Sequence, residues 1–236
     1  GALLSAGCSS GQGSSAPSLT FAPSEIVDLG AVVTEDLPER FWGKAMLKQF
    51  GFERPNAFEV KPWSFKAPTG ELKGSDSYYT LFNHGGPHVD APNHMSAGGG
   101  IDSYRIDSYA GPARVFDARK WPPGRSIPVD LFRDSVGAGE IVLVYTNYRV
   151  DNVDSVPKVV TLTQEAAEYL AALPVRAFGT DAMGLESPQE SAMGRGDTPG
   201  AQVAPVHYAF LSRGIPVYEE LVNLDQLLGK SRLYFV

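Results

Sequence analysis

Three of the chain's four histidines fall in the run Asn83-His84-Gly85-Gly86-Pro87-His88-Val89-Asp90-Ala91-Pro92-Asn93-His94, and no α-helix accommodates that run. Gly85 and Gly86 weaken a helix, and Pro87 lacks the amide that one needs. Pro92 pushes Ala91 toward extended backbone. The segment therefore reads as a strand over residues 77–83 running into a stiff loop. His88 and Asp90, two residues apart, project to the same side of an extended chain. A bend at the glycines returns His84 to the same point. Two imidazoles and a carboxylate make a usable ligand set for a divalent cation, with positions left for water. The fourth histidine, His207, precedes an acidic pair, Glu219 and Glu220.

The remaining pattern alternates strands with helices. Residues 25–33 suggest a short strand. Residues 38–50 suggest a helix, with Leu37, Phe41 and Ala45 at four-residue spacing and Pro38 at a tolerated first position. Phe58, Val60 and Ser64 suggest an edge strand interrupted by Pro62. Residues 113–118 read as a strand. Residues 141–146 form a continuous run of β-branched or apolar residues, as expected of a strand buried on both faces. Thr161 and Gln164 suggest a capping box opening a helix to about residue 173. A strand over 175–178, a helix over 202–213 closed by Gly214, and a strand over 215–218 follow. This order predicts an α/β fold in one domain, with a parallel portion of sheet in the C-terminal half.

The motif and its surroundings resemble the cyclase-like metal hydrolases, a family that includes bacterial kynurenine formamidase and isatin hydrolase. The run from His84 to His94 is similar to that family's His-x-Gly-Thr-His-x-Asp-x-Pro-x-His signature. Residues 139–146, Gly179-Thr180-Asp181-Ala182, His207 and Glu219-Glu220-Leu221-Val222-Asn223-Leu224 resemble further family segments, so the likeness spans roughly residues 27–228. It implies a swivelling β/β/α architecture with a mixed sheet. It also implies a metal set of His84, His88, Asp90, His207 and Glu219, favouring Glu219 over Glu220. His94 and Glu219 are the implied catalytic groups, and Phe41, Trp42, Trp63 and Tyr104 the implied pocket aromatics. Pro87 departs from the family's threonine. The chain stops at Tyr234-Phe235-Val236, where the family continues. On that comparison the domain over 23–236 lacks its last strand, and a sheet edge near residues 215–217 is expected to be exposed.

Nitrogen and oxygen ligands suit Zn²⁺ or Mn²⁺, as one ion or two. The resemblance implies hydrolysis of a small aryl or cyclic amide or formamide by activated water, with His94 moving the proton. Two alternatives keep the same fold: a metal-binding or interaction module with impaired catalysis, or a cyclase/dehydratase. There is no Gly-x-Ser-x-Gly element to support a serine nucleophile. A net charge of −7 without a basic cluster argues against a nucleic-acid partner. No apolar run approaches the roughly 20 residues of a membrane span. The expected partners are a small-molecule substrate and other copies of the chain, as a homodimer or larger homo-oligomer.

Residues 1–22 read as a flexible tail. Its start, Ala2-Leu3-Leu4-Ser5-Ala6-Gly7-Cys8-Ser9-Ser10, resembles the end of a bacterial lipoprotein signal peptide, followed by a Gly/Ser-rich linker. This implies export with a lipid anchor at Cys8, the chain's single cysteine. The alternative is a plain tail on a cytoplasmic protein. The tripeptide Arg195-Gly196-Asp197 is read as chance.

Overall fold

Every residue of the strand Ile141–Tyr145 is buried. Its side chains divide by parity, as strand geometry requires. Val142 and Val144 enter one core cluster, while Ile141, Leu143 and Tyr145 enter another on the opposite face. A strand apolar at every position is stable only with both faces covered, and here it anchors the centre of the sheet.

The computed structural model describes residues 20–95, 97–150, 154, 158–187 and 197–236. In chain order its elements are α1 (Leu37–Phe50), β1 (Ala57–Ala67), β2 (Gly70–Thr80), β3 (His88–Asp90), β4 (Gly111–Asp117), β5 (Ser126–Ile127) and β6 (Ile141–Tyr145). Then come β7 (Thr161–Leu162), α2 (Gln164–Ala172), β8 (Ala177–Thr180), α3 (Pro199–Val203), α4 (Pro205–Leu211), β9 (Val217–Glu219) and β10 (Leu233–Phe235). The main sheet has the order β10-β4-β6-β8-β9-β3. The four middle strands are parallel, and β10 and β3 join antiparallel at the two edges. The expected single α/β domain with a mixed sheet is therefore what forms.

Helices α2 and α4 cover one face through Ala166, Ala167, Leu170, Phe210 and Leu211. Leu221, Leu224 and Leu227 cover the other, with Val27 and Leu29 packed alongside. Asp181 ties the strand ends together by accepting from the Thr146 amide at 2.7 Å, the Thr146 hydroxyl at 2.8 Å and the Tyr148 amide at 3.0 Å.

Several boundaries differ from expectation. Residues 26–33 form no strand. They pass along the sheet as extended chain, joined through the Leu29 carbonyl to the Val222 amide at 3.1 Å. The strand expected at 77–83 is the end of β2 and stops at Thr80, so His84 lies wholly in a loop. The cap of α2 is Thr163, whose side chain accepts from the Ala166 amide, while Thr161 is committed to β7. The helix expected over 202–213 is two helices, because Pro205 cannot donate to a continuing ladder and Ala204 leaves helical geometry at φ −134, ψ 65. The exposed edge expected near residues 215–217 does not occur. Strand β9 lies between β8 and β3, with Ile215 and Val217 buried.

Pro62 does not interrupt its strand. It pairs with Ser75 inside an antiparallel ribbon of β1 and β2. A two-stranded ribbon has two edges, so a residue without an amide is tolerated there. The tail with Cys8 and the Arg195-Gly196 pair lie outside the described residues. Among the described residues no helix is long and apolar enough to cross a membrane.

Candidate metal centre

Strand β3 is short, but its pairing decides the site. Its antiparallel register with β9 places His88 opposite Glu219 and Asp90 opposite Val217. This brings the histidine run to the carboxyl end of β9, next to the end of β8. Helix α4 carries His207 over the same point. His94 sits in a 3-10 turn, Pro92–Met95, that follows β3. Helix α3 closes tightly on that turn: a Cβ at Gly200 would lie 2.4 Å from the Met95 carbonyl oxygen.

The nitrogen and oxygen atoms converge. His84 Nδ1 lies 2.8 Å from His88 Nε2, and these lie 3.5 and 3.4 Å from Asp90 Oδ1. The other Asp90 oxygen, Oδ2, lies 3.5 Å from His207 Nε2, which is 3.0 Å from Glu219 Oε1. Glu219 Oε2 in turn lies 3.7 Å from His88 Nε2. Asp90 thus presents one oxygen to each of two groups, His84/His88/Asp90 and Asp90/His94/His207, whose ligand atoms lie within 4.8 Å of one another.

Three of these buried atoms, Asp90 Oδ2, His207 Nε2 and Glu219 Oε1, make no hydrogen bond of normal geometry. Buried polar atoms are nearly always satisfied, so three orphans at one point call for a further partner. A divalent cation would satisfy all three, and the donor set of imidazoles and carboxylates fits one.

The electrostatics show how tightly the groups are coupled. Burial lowers the His84 imidazole to about 4, with His88 adding to the effect. Burial also lowers His94, against the pull of Asp90. At His88 burial opposes charge but is outweighed by the bond to Asp90 and the charges of Glu219, Asp90 and Glu220, and its pKa rises to about 9. At His207 burial is overcome by Glu186, Glu219 and Asp90, which raise it well above the usual histidine range. Asp90, despite burial, is held far below the carboxylate range by His207 and His88. Four imidazoles with carboxylates interleaved thus carry opposed proton preferences, and a cation that takes their lone pairs would displace the protons.

The expected site residues are not all in one place. His84, His88, Asp90, His94, His207 and Glu219 come together. Tyr104 borders them, donating from its hydroxyl to the Asp90 carbonyl at 2.9 Å. Trp42 also borders them, and its indole N–H donates to the His84 carbonyl at 2.7 Å. Phe41 is half-buried, and its carbonyl accepts the Tyr148 hydroxyl at 2.5 Å. Trp63 is elsewhere. It lies on β1 over Gly74, six residues along the ribbon from Ala57, or roughly 20 Å at the rise of a strand. Within one chain it does not wall the site.

Sequence reasoning missed Glu186, Phe82 and a role for Glu220. Glu186 accepts the His207 amide at 2.7 Å and also contacts His207 Nδ1, which turns Nε2 toward the cluster. Nothing local marks Glu186, because its partner lies 21 residues away. The Phe82 ring lies 6.0 Å from that of His84 and packs with Trp42 and Phe52. The acidic doublet was visible, but β9 ends at Glu219 and Glu220 turns away at φ 60.

The sheet and this cluster define a chain of the cyclase class. The model of the Cyclase family, described as "Putative cyclase", matches residues 27–187, and the chain belongs to that family. It is similar to the kynurenine formamidase of Salinibacter ruber (strain DSM 13855 / M31), at 30% identity over 183 residues, covering 76% of this chain and 80% of that protein. Among solved structures it is similar in fold to an isatin hydrolase bound to the product analogue thioisatinate, with a TM-score of 0.59 at 20% identity, covering 85% of this chain and 80% of that one. It is also similar to a "predicted metal-dependent hydrolase" from Bacillus stearothermophilus, with a TM-score of 0.51 at 22% identity, covering 88% and 85%.

Proposed function

We propose that this chain is a metal-dependent hydrolase of small aryl or cyclic amides and formamides. The observation that carries the reading is the convergence of His84, His88, Asp90, His207 and Glu219, with buried atoms of Asp90, His207 and Glu219 that lack partners. The likeness to a kynurenine formamidase over most of both chains supports the C–N bond class. When bound, Zn²⁺ or Mn²⁺, as one ion or two, would lower the pKa of a water toward about 7 and polarise the carbonyl under attack.

The chain's own groups supply the rest. His94 is the most open of the four histidines, its ring 4.5 Å from that of His84 and 5.7 Å from that of His207. With its pKa lowered by burial it stays neutral near neutral pH, so it is free to accept a proton from water and return one to the leaving nitrogen. Glu219, 3.0 Å from His207 Nε2 and 3.7 Å from His88 Nε2, would orient the water. Trp42, Phe82, Phe52 and Phe50 form an aromatic patch beside His84, with Tyr104 beside Asp90. Flat aromatic surfaces favour flat ring substrates. Phe41 and Trp63 complete the proposed pocket set. Trp63 would do so from the ribbon of a second copy, as part of a homo-oligomer. Export and lipid attachment at Cys8 rest on the tail motif alone.

The test is hydrolysis by Zn²⁺- or Mn²⁺-loaded protein of N-formylkynurenine and isatin, compared with an aliphatic formamide. The expected result is a higher kcat/KM for the aryl substrates. Equal or reversed preference removes the aryl reading, and no hydrolysis of any amide by metal-replete protein overturns the enzymatic one.

A further inference from the structure

Glu220 is an acid that the proposed reaction does not use, and it is held at some cost. It is fully buried, at 0% exposure, and its backbone sits in the left-handed region at φ 60. A long side chain seldom adopts that backbone, and a buried carboxyl needs a partner. One carboxyl oxygen, Oε2, has its partner in the histidine loop, while the other, Oε1, has none of normal geometry, and the Trp42 indole lies beside the carboxyl. Glu220 Oε2 accepts the Gly86 amide at 2.5 Å. The carbonyl of the same residue, Gly86, accepts from His88 Nδ1 at 2.9 Å.

That second bond fixes a proton. A carbonyl only accepts, so His88 Nδ1 carries the hydrogen and Nε2 is left to face Asp90 and Glu219. Gly86 is constrained from several sides. Its φ of 120 is open to glycine and strained for other residues, and a Cβ there would lie 2.6 Å from Leu37 Cδ2 at the start of α1. On its other side Pro87 supplies no amide, so the turn has no donor at that position for a second anchor. Glu220 and Leu37 thus hold Gly86 at its N–H and its Cα.

We infer that Glu220 is a positioning residue: by holding the Gly86 N–H, with Leu37 packed on the same residue, it helps place the next peptide unit, whose carbonyl fixes the tautomer and ring orientation of His88. The inference rests on the metal-centre reading above. Groups that orient a metal-binding histidine typically contribute 10–100-fold to metal affinity.

Zn²⁺ affinity of the full chain, measured by chelator competition, and the ¹⁵N resonances of the His88 ring in zinc-loaded protein test it. Glu220→Gln keeps a carbonyl for the Gly86 amide and is expected to hold near-wild-type affinity and a protonated Nδ1. Glu220→Met keeps the volume without the acceptor and is expected to bind zinc roughly 10–100-fold more weakly, with an altered His88 signal. Wild-type affinity and an unchanged His88 signal in Glu220→Met overturn the inference while leaving the metal centre intact. A Gln variant as weak as the Met variant also overturns it, by assigning the effect to negative charge. Should Glu220→Met fail to fold, Glu220→Ser, too short to reach the Gly86 amide, takes its place with the same expected loss, and a His88 Nδ1 found unprotonated in zinc-loaded wild type overturns the inference. Wild-type protein that takes up no zinc overturns both readings together.

Discussion

The six-stranded sheet and the β1–β2 ribbon are both regular strand pairings and have opposite fates. Strand β6 is buried on both faces, whereas every residue of β1 is exposed. The register explains why. Trp63, Phe65 and Leu72 share one face of the ribbon, while Phe58, Val60 and Tyr79 share the other. Apolar residues on both faces, with charges such as Glu59, Lys61, Lys66, Lys73 and Asp76 between them, leave no side that one layer could cover. Phe65 is 65% exposed and Leu72 is 61%. A lone two-stranded hairpin is marginal in water, and in the proposed homo-oligomer the ribbon's apolar tip is the face that would meet another copy of the chain. In the proposed function the sheet end holds the chemistry, and the ribbon adds at most a wall.

The strongest way to break this division is to remove ligands from the sheet end. His88→Ala and Asp90→Ala should each lose the metal, by elemental analysis, and with it all measurable hydrolysis. Trp63→Ala should keep full metal content. Metal retained in both sheet-end variants would sink the assignment.

Next in size is His94→Ala. It should keep most metal and lose about 10²–10⁴-fold in kcat, the usual worth of a positioned acid–base group. Near-wild-type turnover would make His94 structural and leave Glu219 to move the proton.

A stability contrast follows. Phe178, stacked on Phe210 in the core at 4.9 Å, should cost about 3–5 kcal/mol when changed to Ala. Phe65→Ala on the ribbon should stay within about 0.5 kcal/mol in the isolated chain. Denaturant melts of both at low concentration make the comparison, and a large loss at Phe65 would show that the ribbon is packed.

The smallest effect on stability should carry the clearest change in mass. Sedimentation of the wild type is expected to show self-association that Phe65→Lys with Leu72→Lys weakens, at unchanged metal content. A wild-type monomer would leave the ribbon without the proposed occupant.

The centre of the sheet was legible because residues 141–145 are apolar at every position, a pattern that admits few alternatives. The ribbon was only half legible. Pro62 argued for a break, and the polar run from Gly70 to Ser77 hid its second strand. Which threonine caps α2 depended on where β7 ends, and that is set by pairing with β5 rather than by local sequence.

For the site, the residue types were written in the chain: three histidines and an aspartate in a run that glycine and proline keep from helix. The sequence alone determined that His84, His88 and Asp90 would lie close, because spacing and backbone restriction are local. Only the tertiary structure decided that His207 would meet Asp90, that Glu219 would face the cluster while Glu220 anchors Gly86, that Glu186 would orient His207, and that Trp63 would stand apart. Those contacts depend on β3 pairing with β9 and on α4 packing over them. Pairing of segments about 130 residues apart is fixed by burial of the whole sheet, and no local pattern encodes it.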